Sequence, residues 1–402
     1  MANSYVFNDS LPVAPLKIAA LESITSFAQK VNDHVVKFRR NDTEELIRRQ
    51  ADLHYRGYDV DSYLLKCRCP RFGSGEAKAI VNESVRGADI FAMVDVTNHS
   101  LTYKIGGHTN YMSPDDHYQD LKRIIGACQA TAHRVNVIMP FLYESRQHKR
   151  TNRESLDCAM ALQELINMGV SNIITFDAHD PRVQNAIPLS GFDNFMPTYQ
   201  FVKALFRHDK DLKIDKDHLM IISPDEGAMN RAVYLANILG VDMGMFYKRR
   251  DYSKIVNGRN PIVAHEFLGT SVEGKTVLII DDMISSGESM LDTARELKER
   301  KASKVIVCCT FGLFTSGLEK FDEFYEKAYI DYVITTNLSY RPEALLKRSW
   351  YIEADMSKYV AAIINSFNHD VPIGQALSPT EKIQKLIRKY HSDGYEYFEV
   401  IR

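Results

Sequence analysis

The chain has little of what marks several protein classes. Its six cysteines (Cys67, Cys69, Cys128, Cys158, Cys308 and Cys309) are too few and too irregularly spaced for a disulfide framework. Two of them fall inside an apolar run, Val305-Ile306-Val307-Cys308-Cys309, and read as small core residues. No apolar stretch reaches the roughly 18 residues that a membrane-spanning helix needs, so no membrane partner is expected. Met1 to Tyr5 lacks the charged start and apolar stretch of a secretory leader. Charge of one sign is also lacking: 50 Lys and Arg against 52 Asp and Glu leave a net charge of −2. That balance argues against a bulk electrostatic grip on nucleic acid, and no such partner is expected. With 45% apolar and 25% charged residues there is no signature of wholesale disorder. The expectation is a cytoplasmic protein from a reducing compartment, and its 402 residues allow two or three domains at roughly 150 residues each.

What the chain does have is alternation. Short, β-branched apolar runs recur at Ile90–Val94, Val135–Met139, Asn172–Phe176, Met220–Ile222, Met243–Phe246, Val277–Ile280, Val305–Val307 and Tyr332–Ile334. Runs of that length, apolar throughout, suit strands buried on both faces. Helical stretches separate them, such as Glu154–Met168 and Glu288–Lys298; in the latter Met290, Leu291, Ala294 and Leu297 share one face. Strand and helix in alternation give α/β domains with mainly parallel sheets flanked by helices. The reading is a helical, charge-rich extension over 1–65, a first α/β domain over 66–193, a second over 194–377, and a helical tail over 378–402. The tail opens on a capping box, Ser378-Pro379-Thr380-Glu381.

The most informative stretch is Thr276-Val277-Leu278-Ile279-Ile280-Asp281-Asp282-Met283-Ile284-Ser285-Ser286-Gly287-Glu288-Ser289. An apolar strand runs into two acids, then a hydroxyl-rich bend with a glycine, then a helix. Loop amides and a helix N-terminus suit an anion, and Ser285, Ser286 and Ser289 add hydroxyl donors. Asp281 and Asp282 can accept hydrogen bonds from vicinal ribose hydroxyls, at the strand end where open α/β sheets bind ligands. The combination points to a sugar phosphate.

This segment resembles the ribose-phosphate-binding motif of the type I phosphoribosyltransferase fold. Further stretches resemble the ribose-phosphate pyrophosphokinase (PRPP synthetase) family: Arg146-Gln147-His148-Lys149-Arg150, Thr175-Phe176-Asp177-Ala178-His179, Ser223-Pro224-Asp225-Glu226-Gly227-Ala228 with Arg231 following, Phe72-Gly73-Ser74-Gly75-Glu76, and Asn82 to Phe91. The resemblance spans about Cys69 to Leu377 and implies two tandem phosphoribosyltransferase-like domains. It implies a diphosphokinase that moves the diphosphoryl group of ATP to O1 of ribose 5-phosphate. The first domain would take ATP through Phe72, Ser74, Gly75, Glu76, Arg146, Gln147 and His179. The second would take ribose 5-phosphate through Asp281, Asp282, Ser285, Ser286, Gly287, Glu288 and Ser289. Lys248 and Arg250, in Tyr247-Lys248-Arg249-Arg250, inherit transition-state-stabilising roles. The cofactor implied is Mg2+, associated with His179, Asp225 and Asp177. Because the Phe72 turn reaches a neighbouring subunit's site in the family, a homo-oligomer is implied, dimer-based and up to a hexamer.

The chain departs from the family pattern in places. Ser74 stands where an Asp is usual, and Lys149 replaces an Arg, keeping charge but losing the bidentate fork. Glu288 puts an anion beside the expected 5-phosphate and must turn away from it. An insertion over Thr97–Pro114 replaces a tighter connection. Two other readings therefore stay open at this point: a catalytically silent homologue that regulates a partner synthetase, and a phosphoribosyltransferase that consumes the activated sugar.

Overall fold

The structure, a computed structural model, describes residues 10–49, 55–250, 262–373 and 379–393, with the side chains at 248–250, 262–265, 391 and 393 excepted. Up to Met196 the elements are β1 (Leu16–Ala20), α1 (Thr25–Arg48), β2 (Cys67–Arg68), β3 (Ile80–Val81), β4 (Asp89–Met93), β5 (Thr102–Ile105), β6 (His108–Tyr111), α2 (Pro114–Gln129), β7 (Arg134–Ile138), α3 (Asp157–Asn167), β8 (Asn172–Phe176) and β9 (Gly191–Phe195). Then follow α4 (Thr198–His208), β10 (Leu219–Ser223), α5 (Met229–Leu239), β11 (Asp242–Arg250), β12 (Ile262–Leu268), β13 (Thr276–Ile284), α6 (Glu288–Glu299), β14 (Lys304–Gly312), α7 (Glu319–Glu326), β15 (Tyr332–Thr336), α8 (Glu343–Leu346), β16 (Tyr351–Ala354), α9 (Ser357–Asn368) and α10 (Pro379–Asp393). All eight strands expected from apolar runs are present.

The first compact unit holds a parallel sheet in the order β1-β4-β7-β8-β9. Every residue of β4 is buried, which is why Ile90 to Met93 are apolar without alternation. The N-terminal region is not an appended helical extension, as its charge had suggested. β1 pairs with β4 from Leu16↔Asp89 to Ala20↔Met93 and forms one edge of the sheet. Its signal is masked by Lys17, whose ammonium reaches out to Glu83 at 2.5 Å while Leu16 and Ile18 are buried. α1 then buries Phe27, Ala28, Val31, Val35 and Phe38, the spacing of a core-facing helix.

The expected boundary at 377 is also corrected. The first unit includes Asn337–Tyr340 and the chain from Asp355 through α9, so α9 belongs to it. The reason is a buried charge on α1. Arg39, 1% exposed, donates to Asn365 Oδ1 at 3.2 Å and Asn368 Oδ1 at 2.5 Å, and its guanidinium lies 4.7 and 4.8 Å from the rings of Tyr58 and Tyr63. Asn368 in turn donates to Ala14 O and Asp89 Oδ2. A buried guanidinium without these partners would be strongly unfavourable.

The second unit is a seven-stranded sheet, β12-β11-β10-β13-β14-β15-β16, parallel except for β12. Alternate residues serve opposite faces. Leu219, Ile221, Leu278, Ile280 and Cys308 pack with Phe201 and Val202 of α4 and Leu235 of α5. Met220, Ile222, Val277, Ile279 and Cys309 pack with Met290, Leu291, Ala294 and Leu297 of α6. The adjacent cysteines are thus core residues on two faces, and all six cysteines are free thiols. As far as it is described, the tail is no separate element: Ile383, Leu386 and Tyr390 of α10 join the first of these layers. Tyr390 stacks on Phe206 at 4.3 Å and donates to Leu212 O. Among the described residues no helix is long and apolar enough to cross a membrane.

Candidate active site

In the second sheet the chain moves from β10 outward to β11 on one side, then returns to place β13 on the other side of β10. The strand order reverses there, and the carboxyl ends of the two flanking strands form the crevice where open α/β sheets take ligands. β10 ends at Ser223 and delivers Pro224 and Asp225; β13 delivers Asp281 and Asp282. The structure therefore brings the two acidic motifs of this half to adjacent strand ends.

β13 stays extended through the acids because Asp281 pairs with Cys309 and Met283 with Phe311 on β14. Asp281 is half-buried and Asp282 is 3% exposed. The Asp282 amide donates to Asp281 Oδ1 at 2.8 Å. Burial, then the neighbouring charges of Asp282 and Asp225, hold the Asp281 carboxyl well above its usual range. Asp225 folds its own turn: Oδ1 accepts from Gly227 N at 2.9 Å, and Ser223 Oγ donates to Asp225 O at 2.6 Å. Opposing these acids is Arg231, its side chain only 10% exposed, with Nη2 3.9 Å from Asp282 Oδ2. Arg231 went without a role in the sequence reading; its signal was its place six residues after Asp225, on the first turn of α5.

The bend that follows is built by one residue. Gly287 has φ +84 and caps α6, and a Cβ there would lie 2.5 Å from the Phe321 ring. Only glycine fits both demands. No side chain caps α6, so its first amides and the half-buried Ser285 and Ser286 present donors at the strand end. Glu288 turns away, as its position required: its carboxylate is 2.7 Å from Lys320 Nζ, and that ammonium lowers its pKa.

In the first unit, adjacent strands β7 and β8 supply the other residues. The loop after β7 is fixed by Tyr143, stacked on Tyr118 at 4.3 Å and donating to Asp115 at 2.6 Å. Arg146 is exposed, and Gln147 Nε2 donates to Ser155 O at 2.8 Å. After β8, Asp177 takes φ +41 and is buried, with its amide on Phe195 O. The loops meet through His148: its ring centroid is 5.4 Å from that of His179, and its Nε2 is 3.5 Å from Asp180 Oδ2. Asp180 is held down to about 2, chiefly by hydrogen bonds from Arg182. The Phe72–Glu76 turn is a separate, solvent-facing feature. Phe72 is 50% exposed with Lys78 Nζ 5.7 Å from its ring, and Ser74 Oγ donates to Glu76 Oε2 at 2.8 Å. The side chains of Lys248 and Arg250 lie outside the described residues.

Among the described residues, no three His, Cys, Asp or Glu side chains are arranged to hold a metal ion. Among the described residues, the donors at the β10 and β13 ends are hard carboxylate oxygens of Asp225, Asp281 and Asp282. Such a set suits a hydrated Mg2+ carried by phosphate ligands better than a fully protein-coordinated metal.

Comparison with known proteins matches the chain half by half. The model of the N-terminal domain of ribose phosphate pyrophosphokinase matches residues 16–169, and that of the phosphoribosyl transferase domain matches residues 202–340. The ribose-phosphate pyrophosphokinase of Staphylococcus epidermidis is 27% identical over 335 residues, covering 83% of this chain and 88% of that protein. That of Staphylococcus aureus is 29% identical over 275 residues, covering 68% and 77%. The fold is shared with a crystal structure of phosphoribosylpyrophosphate synthetase from Mycobacterium smegmatis, at 20% identity and a TM-score of 0.65 over 88% of this chain and 99% of that one. With both halves matched in order, the chain belongs to the ribose-phosphate pyrophosphokinase family.

Proposed function

We propose that the chain is an active ribose-phosphate diphosphokinase. O1 of ribose 5-phosphate attacks the β-phosphorus of ATP and gives up its proton. The bond from that phosphorus to the oxygen bridging the α-phosphate breaks, releasing AMP and 5-phosphoribosyl 1-diphosphate. The observation that carries this reading is the strand-order reversal at β10 and β13, with Asp225, Asp281 and Asp282 at the two strand ends and an uncapped α6 beyond them.

In this reading the α6 amides and the hydroxyls of Ser285, Ser286 and Ser289 hold the 5-phosphate. Asp281 and Asp282 accept hydrogen bonds from the ribose hydroxyls. Glu288, paired with Lys320, leaves the phosphate site unopposed. On the nucleotide side Phe72 stacks on adenine, Ser74, Gly75 and Glu76 line it, and Arg146 and Gln147 with His179 meet the phosphates. Lys248 and Arg250 stabilise charge that develops only during transfer, by their motif positions. By their motif positions His179, Asp177 and Asp225 are the residues that would associate with magnesium, and the ion, when bound, would neutralise charge on the transferring group. The working form is a homo-oligomer in which the Phe72 turn serves a neighbouring subunit.

The test is ³¹P NMR of the protein with ATP, ribose 5-phosphate and MgCl2. AMP and phosphoribosyl diphosphate should appear together, only when the sugar phosphate is present. No AMP, or pyrophosphate release that needs a nucleobase, overturns the reading.

A further inference from the structure

The insertion over Thr97–Pro114 is a hairpin. β5 and β6 pair antiparallel from Thr102↔Tyr111 to Ile105↔His108, around Gly106 and Gly107 at φ +55 and +85. Two consecutive positive φ values make the tight turn that matches strand twist. The far end is sealed where Ser113 caps α2 with Asp116 in a reciprocal pair. The hairpin is not buried in the core: Ile105 is 38% and Tyr111 70% exposed. Its inner face instead meets the Phe72–Glu76 turn at two points.

The first point is the apex. Gly75 sits at φ +91, and the place a Cβ would occupy is filled by Ile105, with Cδ1 2.6 Å and Cγ1 3.0 Å away and Tyr103 Cε2 at 3.6 Å. The second is the flank. The Arg71 guanidinium lies 5.0 Å from the Tyr103 ring, while its Nη2 donates to Asp120 Oδ2 at 2.9 Å. Tyr103 Oη is 3.4 Å from both carboxylate oxygens of Asp116. Within itself the turn has two backbone bonds, Phe72 N to Glu76 O and Gly75 N to Phe72 O, and the exposed Ser74 Oγ to Glu76 Oε2 bond. A five-residue turn that exposes its aromatic ring has little buried area of its own to fix it. Behind the hairpin lies a cavity of about 230 Å³ between Tyr103, Met112, Arg71, His117 and Asp120.

We propose that the β5–β6 hairpin is a positioning element for the nucleotide, with Ile105 and Tyr103 holding the Phe72–Glu76 turn in its adenine-receiving shape. This rests on the reading of that turn given under Proposed function. Without the hairpin contact the turn samples other shapes, and the ordering cost falls on nucleotide binding rather than on folding.

Two readouts test it on the full chain: steady-state kinetics with ATP and ribose 5-phosphate, and calorimetric binding of Mg-ATP. Ile105→Gly and Tyr103→Leu should raise both KM and Kd for ATP about five- to tenfold, with kcat within about twofold, KM for ribose 5-phosphate unchanged and Tm nearly so. Ile105→Leu, which refills the space over Gly75, should restore wild-type values. The inference is overturned if Ile105→Gly leaves ATP affinity unchanged, if both substrates' KM values rise together, or if Ile105→Leu is as impaired as Ile105→Gly. A wild type that binds ATP but makes no AMP overturns the proposed activity alone, since the affinity ratios still decide this inference. A wild type that binds no adenine nucleotide overturns both.

Discussion

Asp281 holds a carboxylate where burial and two like charges oppose it. Its folded-state pKa is raised, so its ionised form costs stability at every pH above the ordinary carboxylate range, and that cost disappears once the pH is low enough to protonate it in both states. Asp281→Asn should therefore raise Tm by about 2–4 °C at pH 7, show no gain below about pH 4, and lose activity. Unchanged Tm at pH 7 in calorimetry would show that the repulsion is already screened. Asp282→Asn should mainly raise the KM for ribose 5-phosphate; a change confined to the KM for ATP would misplace that carboxylate. Lys248→Ala should lower kcat by orders of magnitude with ribose 5-phosphate affinity nearly intact, because a charge needed only in the transition state affects rate more than ground-state binding. An unchanged rate rules that role out. At this scale the motif acids were legible because chemistry restricts residue type there. Arg231 was not, because nothing marks a helix arginine as buried beside Asp282 until the strand order is known.

Among the elements, the bend between β13 and α6 depends on Gly287. Gly287→Ala meets both a positive φ and the Phe321 ring, and should cost about 1–3 kcal/mol while raising the KM for the sugar phosphate. Urea unfolding beside steady-state kinetics checks it, and a neutral outcome in both would show that the ring moves aside. Strands were readable wherever both faces are buried, as at β4 and β7, since nearly every position is then apolar and the buried exceptions, Asp89 and Asn136, bond to each other. β1 escaped because Lys17 interrupts it and its pairing partner lies seventy residues on. β9 escaped for a related reason: Gly191-Phe192-Asp193-Asn194-Phe195 is half-buried throughout, so burial never imposed a pattern on it. The hairpin of β5 and β6 was legible only as an insertion, because its inner face packs on a turn rather than on a core.

For the molecule as a whole, the fold class and the tandem arrangement followed from alternation, but the partition of the chain did not. Contiguity assigned α9 to the second domain, whereas the side chains that satisfy Arg39 assign it to the first. His369, just beyond α9, is 4% exposed and its Nδ1 donates to Asn365 O at 2.7 Å; burial lowers its pKa to about 4. The unfolded chain binds this proton more readily, so stability should fall as pH drops from about 6.5 to about 4, by on the order of 2–3 kcal/mol. His369→Asn should flatten that slope in Tm against pH; an identical slope would mean other groups carry it. Because α9 closes a unit begun at β1, that unit stays incomplete during synthesis until about 170 residues beyond Met196 have been added, roughly 10–30 s at ordinary translation rates. Over that interval the inner face of α1 and the Arg39 guanidinium wait without their final cover, so a stop codon before Ser357 removes more than the end of the chain: it leaves the part made first unable to finish folding.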